Sequence, residues 1–138
     1  MQKTIQRFLD NRAQAIENGE GIDWSTAEAL AFASLLKEGH QVRLSGQDSE
    51  RGTFSQRHSM LVDQENEDRY IPLNHIAKDQ AEFEAIDSLL SEEAVLGFEY
   101  GYSPAEPQNL DLLQPPLGTF PQRAQRRTSH AHSRAWRS

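Results

Sequence analysis

The chain has 138 residues, 36% of them apolar, with a mean hydropathy of -0.75, which allows one ordinary domain with a modest core. It has no cysteine, which excludes a disulfide scaffold, thiolate metal ligands and a cysteine nucleophile. No apolar run approaches the ~20 residues of a membrane-spanning helix, and Met1 to Arg12 lacks the apolar stretch of a signal peptide. The net charge of -7 is unevenly spread: Pro121 to Ser138 holds 5 arginines and no acid, leaving 9 basic and 21 acidic side chains in residues 1–120. An acidic body argues against nucleic acid as a partner, because phosphate binding needs a basic face. Residues 121–138 read as a basic, disordered tail.

In chain order, Ile5, Phe8, Leu9 and Ile16 predict a helix over 3–18 that Gly19 stops. After a turn at 19–22, a second helix begins near Asp23 to Ser25, where Ser25 and Glu28 have the spacing of a capping box. Ala27, Leu30, Ala31, Phe32, Leu35 and Leu36 give it a broad apolar face, and Gly39 closes it. A first strand follows near Gln41–Ser45, and Ser45 to His58 reads as a long polar loop. Met60–Val62 and Tyr70–Leu73 are short extended pieces around an acidic turn, with Pro72 arguing against a central strand. Ser91 caps a third helix to Tyr102, in which Gly97 and Gly101 suggest close packing, and Leu110–Leu113 is the next strand. Helix, strand, loop, helix, strand predicts an α/β fold, a parallel sheet flanked by helices near 24–38 and 91–102. Candidate core residues are Phe8, Trp24, Phe32, Leu35, Leu36, Val95, Leu96 and Phe98.

Chemistry is sparse. His40, His58 and His75 are widely separated and form no helical zinc pair, so each reads as a surface or hydrogen-bonded histidine. Ser25 and Ser45 lack the context of a nucleophile elbow. Two segments remain. Residues 43–58 place charges, amides and glycines at the end of a strand, where open α/β sheets bind ligands; the plainer alternative is a solvated loop. Residues 89–97 put Glu92 and Glu93 at a helix start beside apolar residues. Such a carboxyl could serve as a catalytic acid, or simply suit the positive end of the helix dipole.

Four blocks carry a resemblance: GIDWSTAEAL at 21–30, RLSGQDSERGTFSQRH at 43–58, IPLNH at 71–75 and SLLSEEAVLGFEYGY at 88–102. They resemble the first, decarboxylating component of the 2-oxoglutarate dehydrogenase complex, over about Lys3 to Ser103. The resemblance implies a fragment that starts the transketolase-like domain holding the aminopyrimidine ring of thiamine diphosphate. Residues 1–20 would be a connecting helix, 21–120 the partial pyrimidine-binding domain, and 121–138 the tail.

In this family the cofactor attacks a 2-keto acid and stabilises the carbanion left by loss of carbon dioxide. A carboxyl at a ring nitrogen favours the imino form that removes the thiazolium proton. The motif Ser-Glu-x-x-x-x-Gly matches Ser91, Glu92 and Gly97, so the resemblance assigns Glu92 to that role, with Glu93 and Glu99 as fallbacks. Leu90, Gln47 and Phe120 would complete the cofactor contacts. Magnesium and the diphosphate would be bound by a domain absent from this chain. The full enzyme passes succinyl to a lipoyl-bearing succinyltransferase component and works as a homodimer, in the bacterial cytoplasm or the mitochondrial matrix.

The chain departs from the family after Ser103. Where the family reads roughly Leu-Trp-Glu-Ala-Gln-Phe-Gly-Asp-Phe, this chain has Leu112, Leu113, Gln114, Pro115, Pro116, Leu117, Gly118, Thr119 and Phe120. Two readings follow: part of a thiamine-diphosphate-dependent 2-oxoglutarate dehydrogenase, or an inactive truncated fragment or assembly module that docks on a full-length relative. For the isolated chain the expectation is no detectable turnover.

Overall fold

The computed structural model describes residues 3–114; Phe120 and the 121–138 segment lie outside the described residues. Helix α1 spans Lys3–Asn18 and α2 spans Trp24–Lys37. Strand β1 (Val42–Gly46) is followed by a small antiparallel hairpin, β2 (Leu61–Val62) with β3 (Arg69–Tyr70), and by a 3-10 turn at Pro72–His75. Strand β4 (Phe83–Asp87), helix α3 (Glu92–Tyr102) and strand β5 (Leu110–Gln114) complete the fold. The three longer strands form a parallel sheet in the order β4-β1-β5, which bears out the α/β class.

The sheet forms because alternate residues of β1 meet apolar partners on one face. Val42 and Leu44 stand in register with Phe83 and Ala85 on one side and with Leu110 and Leu112 on the other. Phe32 and Leu36, four residues apart and so on one stripe of α2, close over that face. Leu36 and Val42 are fully buried and Phe83 nearly so. The Phe32 and Phe83 rings stack with centroids 5.7 Å apart. Asn74 covers the outer edge of β4: its amide donates to Phe83 O at 3.0 Å and its carbonyl accepts from Phe83 N at 2.7 Å. That satisfies backbone groups a missing strand would leave open.

Several expectations need correction. The cap of α2 is Asp23, whose Oδ1 accepts from Thr26 N at 2.7 Å; Ser25 and Glu28 form no capping box. Asp23 precedes the pair by two residues and reaches the free amides first, so Ser25 becomes helical and buried. Trp24 is 87% exposed and Phe98 56% exposed, so neither belongs to the core. Trp24 sits at the first position of α2, before the stripe that faces the sheet. Gly97 and Gly101 do not mark close packing, since a Cβ at either would meet nothing within 4 Å.

Residues 83–87, left unassigned by the sequence pattern, are strand β4. Strand β1 runs through Ser45 into Gly46, one residue past its expected end. Gly46, at φ 141°, lies so close to β5 that a Cβ would meet Gln114 O at 2.2 Å; only glycine fits.

Helix α1 has no buried residue, so it is held by side-chain tethers. Arg12 donates to Ser25 Oγ at 2.8 Å and Gln56 O at 3.1 Å while lying over the Phe8 ring. Phe8 also packs edge-on against His58, centroids 5.1 Å apart.

Candidate functional site

All three parallel strands end together: Gly46 is in register with Asp87 and with Gln114. The loop after β1 and the loop after β4 therefore leave the sheet side by side, the position at which ligands bind in open α/β folds. Two bonds join them. Ser88 N donates to Gly46 O at 2.8 Å, and Glu50 N donates to the Asp87 carboxylate at 2.9 Å. Burial and then the Asp87 charge hold the Glu50 carboxyl above its ordinary value, with Arg69 opposing.

The short β4–α3 loop ends at Ser91, whose Oγ accepts from Ala94 N at 3.4 Å and so fixes where α3 starts. Glu92 is the first helical residue and half-buried. Among the described residues its carboxylate makes no hydrogen bond or ion pair. Leu89 and Leu90, just before the cap, are 103% and 55% exposed. Glu93 is exposed on the next position of the helix. Glu99, two turns on, is buried at 8% exposure and bonded to Arg43. Gln47 is exposed at the start of the β1 loop, at the same end of the sheet as Leu90 and Glu92. Phe120 lies outside the described residues.

Residues 47–59 are more ordered than a solvated connection. Gly52 N donates to Asp48 O at 2.8 Å, Ser55 N to Gly52 O at 2.8 Å, and Ser59 N to Glu50 O at 2.8 Å. Asp48, Ser55 and His58 adopt positive φ within these turns. The fastener is Arg57, which sequence reasoning missed. Its guanidinium grips Glu28 of α2 with bonds of 2.6 and 3.2 Å, donates to Ser49 O at 2.9 Å, and bonds the side-chain carbonyl of Gln114. The Gln114 amide in turn donates to Gln47 O at 3.1 Å and Thr53 Oγ1 at 3.2 Å. An amide can serve both sets of partners, since it accepts from Arg57 and donates to the loop; a carboxylate could only accept.

His40 and His75 engage the backbone oxygens of Gln108 and Ile71 at 3.0 and 2.9 Å. His58 is held below its usual pKa, first by burial and then by Arg12 and Arg51, with a Ser55 hydrogen bond opposing. Among the described residues, no group of histidines and acids could hold a metal ion. A cavity of about 420 Å³ opens between α1 and the β2–β3 hairpin, walled by Ile5, His58, Met60 and Tyr70; Gln47, Leu90 and Glu92 do not line it.

Comparison with known proteins matches this architecture. Residues 20–136 match the family described as transketolase, pyrimidine binding domain. The 2-oxoglutarate dehydrogenase E1 components of Brucella ovis and Brucella canis are each 66% identical over 123 residues, covering 89% of this chain. That of Brucella melitensis biotype 2 is 65% identical over the same length. The chain spans 12% of the length of these relatives. With 117 consecutive residues in the family match and a parallel sheet beneath them, the chain belongs to the transketolase pyrimidine-binding domain family.

Proposed function

We propose that this chain is the aminopyrimidine-binding portion of a thiamine-diphosphate-dependent 2-oxoglutarate dehydrogenase, with Glu92 as the carboxyl that meets the ring. One observation carries the reading. At the carboxyl end of the sheet, Glu92 is half-buried and unbonded among the described residues, whereas Glu99 is committed to Arg43. A carboxylate without a protein partner, two residues after the exposed Leu90, suits a flat ring with a polar edge, so these residues fit the group.

When bound, thiamine diphosphate supplies the nucleophilic carbon and the electron sink for loss of carbon dioxide. Glu92 would hold and exchange one proton at the ring nitrogen, and Leu90 would keep water from that edge. Gln47 would border the ring from the β1 loop, which Arg57 and Gln114 keep in place. Phe120 would complete the contacts. Magnesium and the diphosphate would be held by a domain outside this chain, and the complete enzyme would pass succinyl to a lipoyl-bearing component as a homodimer. Because the matched relatives are bacterial, the cytoplasm is the compartment we infer. We expect no turnover from the isolated chain, which would lack half of the cofactor site.

The test uses a full-length 2-oxoglutarate dehydrogenase E1 component. Glutamate to glutamine at the position of Glu92 should leave folding and diphosphate binding intact and lower turnover by ~10²–10⁴-fold, the usual contribution of acid–base help. The same change at the position of Glu93 should be mild, because adjacent helical residues point about 100° apart. If the Glu93 variant were the slower of the two, the assignment to Glu92 would be wrong.

A further inference from the structure

The face of the sheet opposite the apolar core carries charge. Arg43 on β1 is in register with Glu84 on β4 and with Asp111 on β5, so one arginine stands between two acids across the strands. Helix α3 lies over this face and brings a third acid. Only Val95 and Glu99 of α3 are buried, so Glu99 is half of what anchors the helix.

Each nitrogen of the Arg43 guanidinium is engaged. Its Nε donates to Glu99 at 3.0 Å and its Nη2 to the other oxygen of Glu99 at 3.3 Å, while Nη1 is bonded to Glu84. The rings of Phe98 and Tyr102, also on α3, lie 5.5 and 4.9 Å from its centre. Asp111 is left over: both carboxyl oxygens are buried and neither has a well-formed hydrogen bond, with only the Ser103 hydroxyl close enough to favour the charge. It faces Glu99 and Ser103 of α3 and Arg43 of β1, with Glu84 of β4 beyond the arginine. One cation thus answers three acids, and the unpaired one sits under the helix.

We propose that Asp111 is a proton-controlled latch for α3. Neutral, it lets Glu99 hold Arg43 and seats the helix on the sheet; ionised, it opposes Glu99 and loosens the helix. Asp111 is a positioning residue in this scheme. Its consequence for Glu92, seven residues before Glu99 on the same helix, rests on the functional reading above; the latch itself does not.

The direction with pH follows from the surroundings. Burial, then the charge of Glu99, holds the Asp111 carboxyl above the ordinary 3.8, with Ser103 and Arg43 opposing. The folded chain therefore keeps this proton where the unfolded chain has lost it. Seating is strongest in acid and weakens as pH rises through the raised value.

Hydrogen exchange of the α3 amides, read as protection factors between about pH 4 and about pH 8 in this chain and its Asp111→Asn variant, tests the latch. The variant is isosteric and always neutral. Relative to Asp111→Asn, the α3 protection of the unmodified chain should fall as pH rises through the raised value of Asp111. In a Glu99→Gln background the difference between Asp111 and Asn should shrink, because the opposing charge is gone. Equal pH dependence in the unmodified chain and Asp111→Asn would overturn the proposal. So would lower α3 protection in Asp111→Asn at the alkaline end, or an α3 without protection at any pH.

Discussion

Arg57→Ala probes the junction on which the β1 loop depends. The arginine side chain is 11% exposed and its partner Glu28 23% exposed, so the pair is largely withdrawn from water. Truncation removes two bonds to Glu28, one to Ser49 O and one to Gln114. Removing one partner of a buried ion pair costs about 3–5 kcal/mol, mostly from the charge left behind. Glu28 keeps some access to water and can rehydrate, which places the loss near the lower bound, about 3 kcal/mol. At about 4 °C per kcal/mol for a domain of this size, that is a fall in Tm of roughly 12 °C.

Circular dichroism melts of the chain at neutral pH measure it. Arg57→Lys should fall between, since an ammonium keeps the charge but cannot form the planar fork. In Arg57→Ala/Glu28→Ala the two losses should be well below additive, because the second change removes the stranded acid. An Arg57→Ala variant melting within about 2 °C of the unmodified chain would show that the clamp is a surface ornament and that the loop is held otherwise.

Phe83→Ala should destabilise by about 3–5 kcal/mol in denaturant titration, because the ring is fully buried between α2 and the sheet and stacked on Phe32. Asp23→Ala should cost about 1 kcal/mol through loss of the α2 cap. The Asp23 carboxyl is held below its ordinary 3.8 first by the hydrogen bond to the Thr26 side chain and then by that to its amide. Its contribution is therefore present above pH 3.8 and lost as pH falls through the lowered value, so the two melting curves should converge in strong acid.

The elements that proved legible are those whose sequence carries their own boundary signals. Helix α1 ends at a glycine with φ 69°, and Ser91 starts α3 where the pattern put it. Strands β1 and β5 announce themselves by apolar content. Strand β4 does not: Glu84 and Asp87 dilute its pattern, and Glu84 is tolerated in the sheet because Arg43 stands in register with it. The error at Trp24 has a similar origin. Bulk suggested burial, but the residue occupies the first turn of α2, outside the stripe that meets the sheet.

At the candidate site, Glu92 could be nominated from the sequence because its motif is local. Arg57, Glu28 and Gln114 were missed because the bonds joining them span 29 and 57 residues, and no local pattern encodes them.

The two faces of the sheet hold their helices by different forces, and that difference bears on where control can reside. Helix α2 is seated by Phe32 and Leu36 against Val42, Leu44 and Phe83, contacts that depend on shape and are indifferent to pH. Helix α3 is seated by Val95 and by the Glu99–Arg43 pair, whose strength depends on every charge around it. Between the two faces, at the carboxyl end of the strands, the β1 loop is fastened to the α2 side by Arg57, whereas Glu92 rides on α3. One wall of the candidate site is thus fixed to the rigid face and the other to the electrostatically held face. Under the latch proposed above, a change in the charge balance beneath α3 would act on the wall that carries Glu92 and not on the loop that Arg57 fastens.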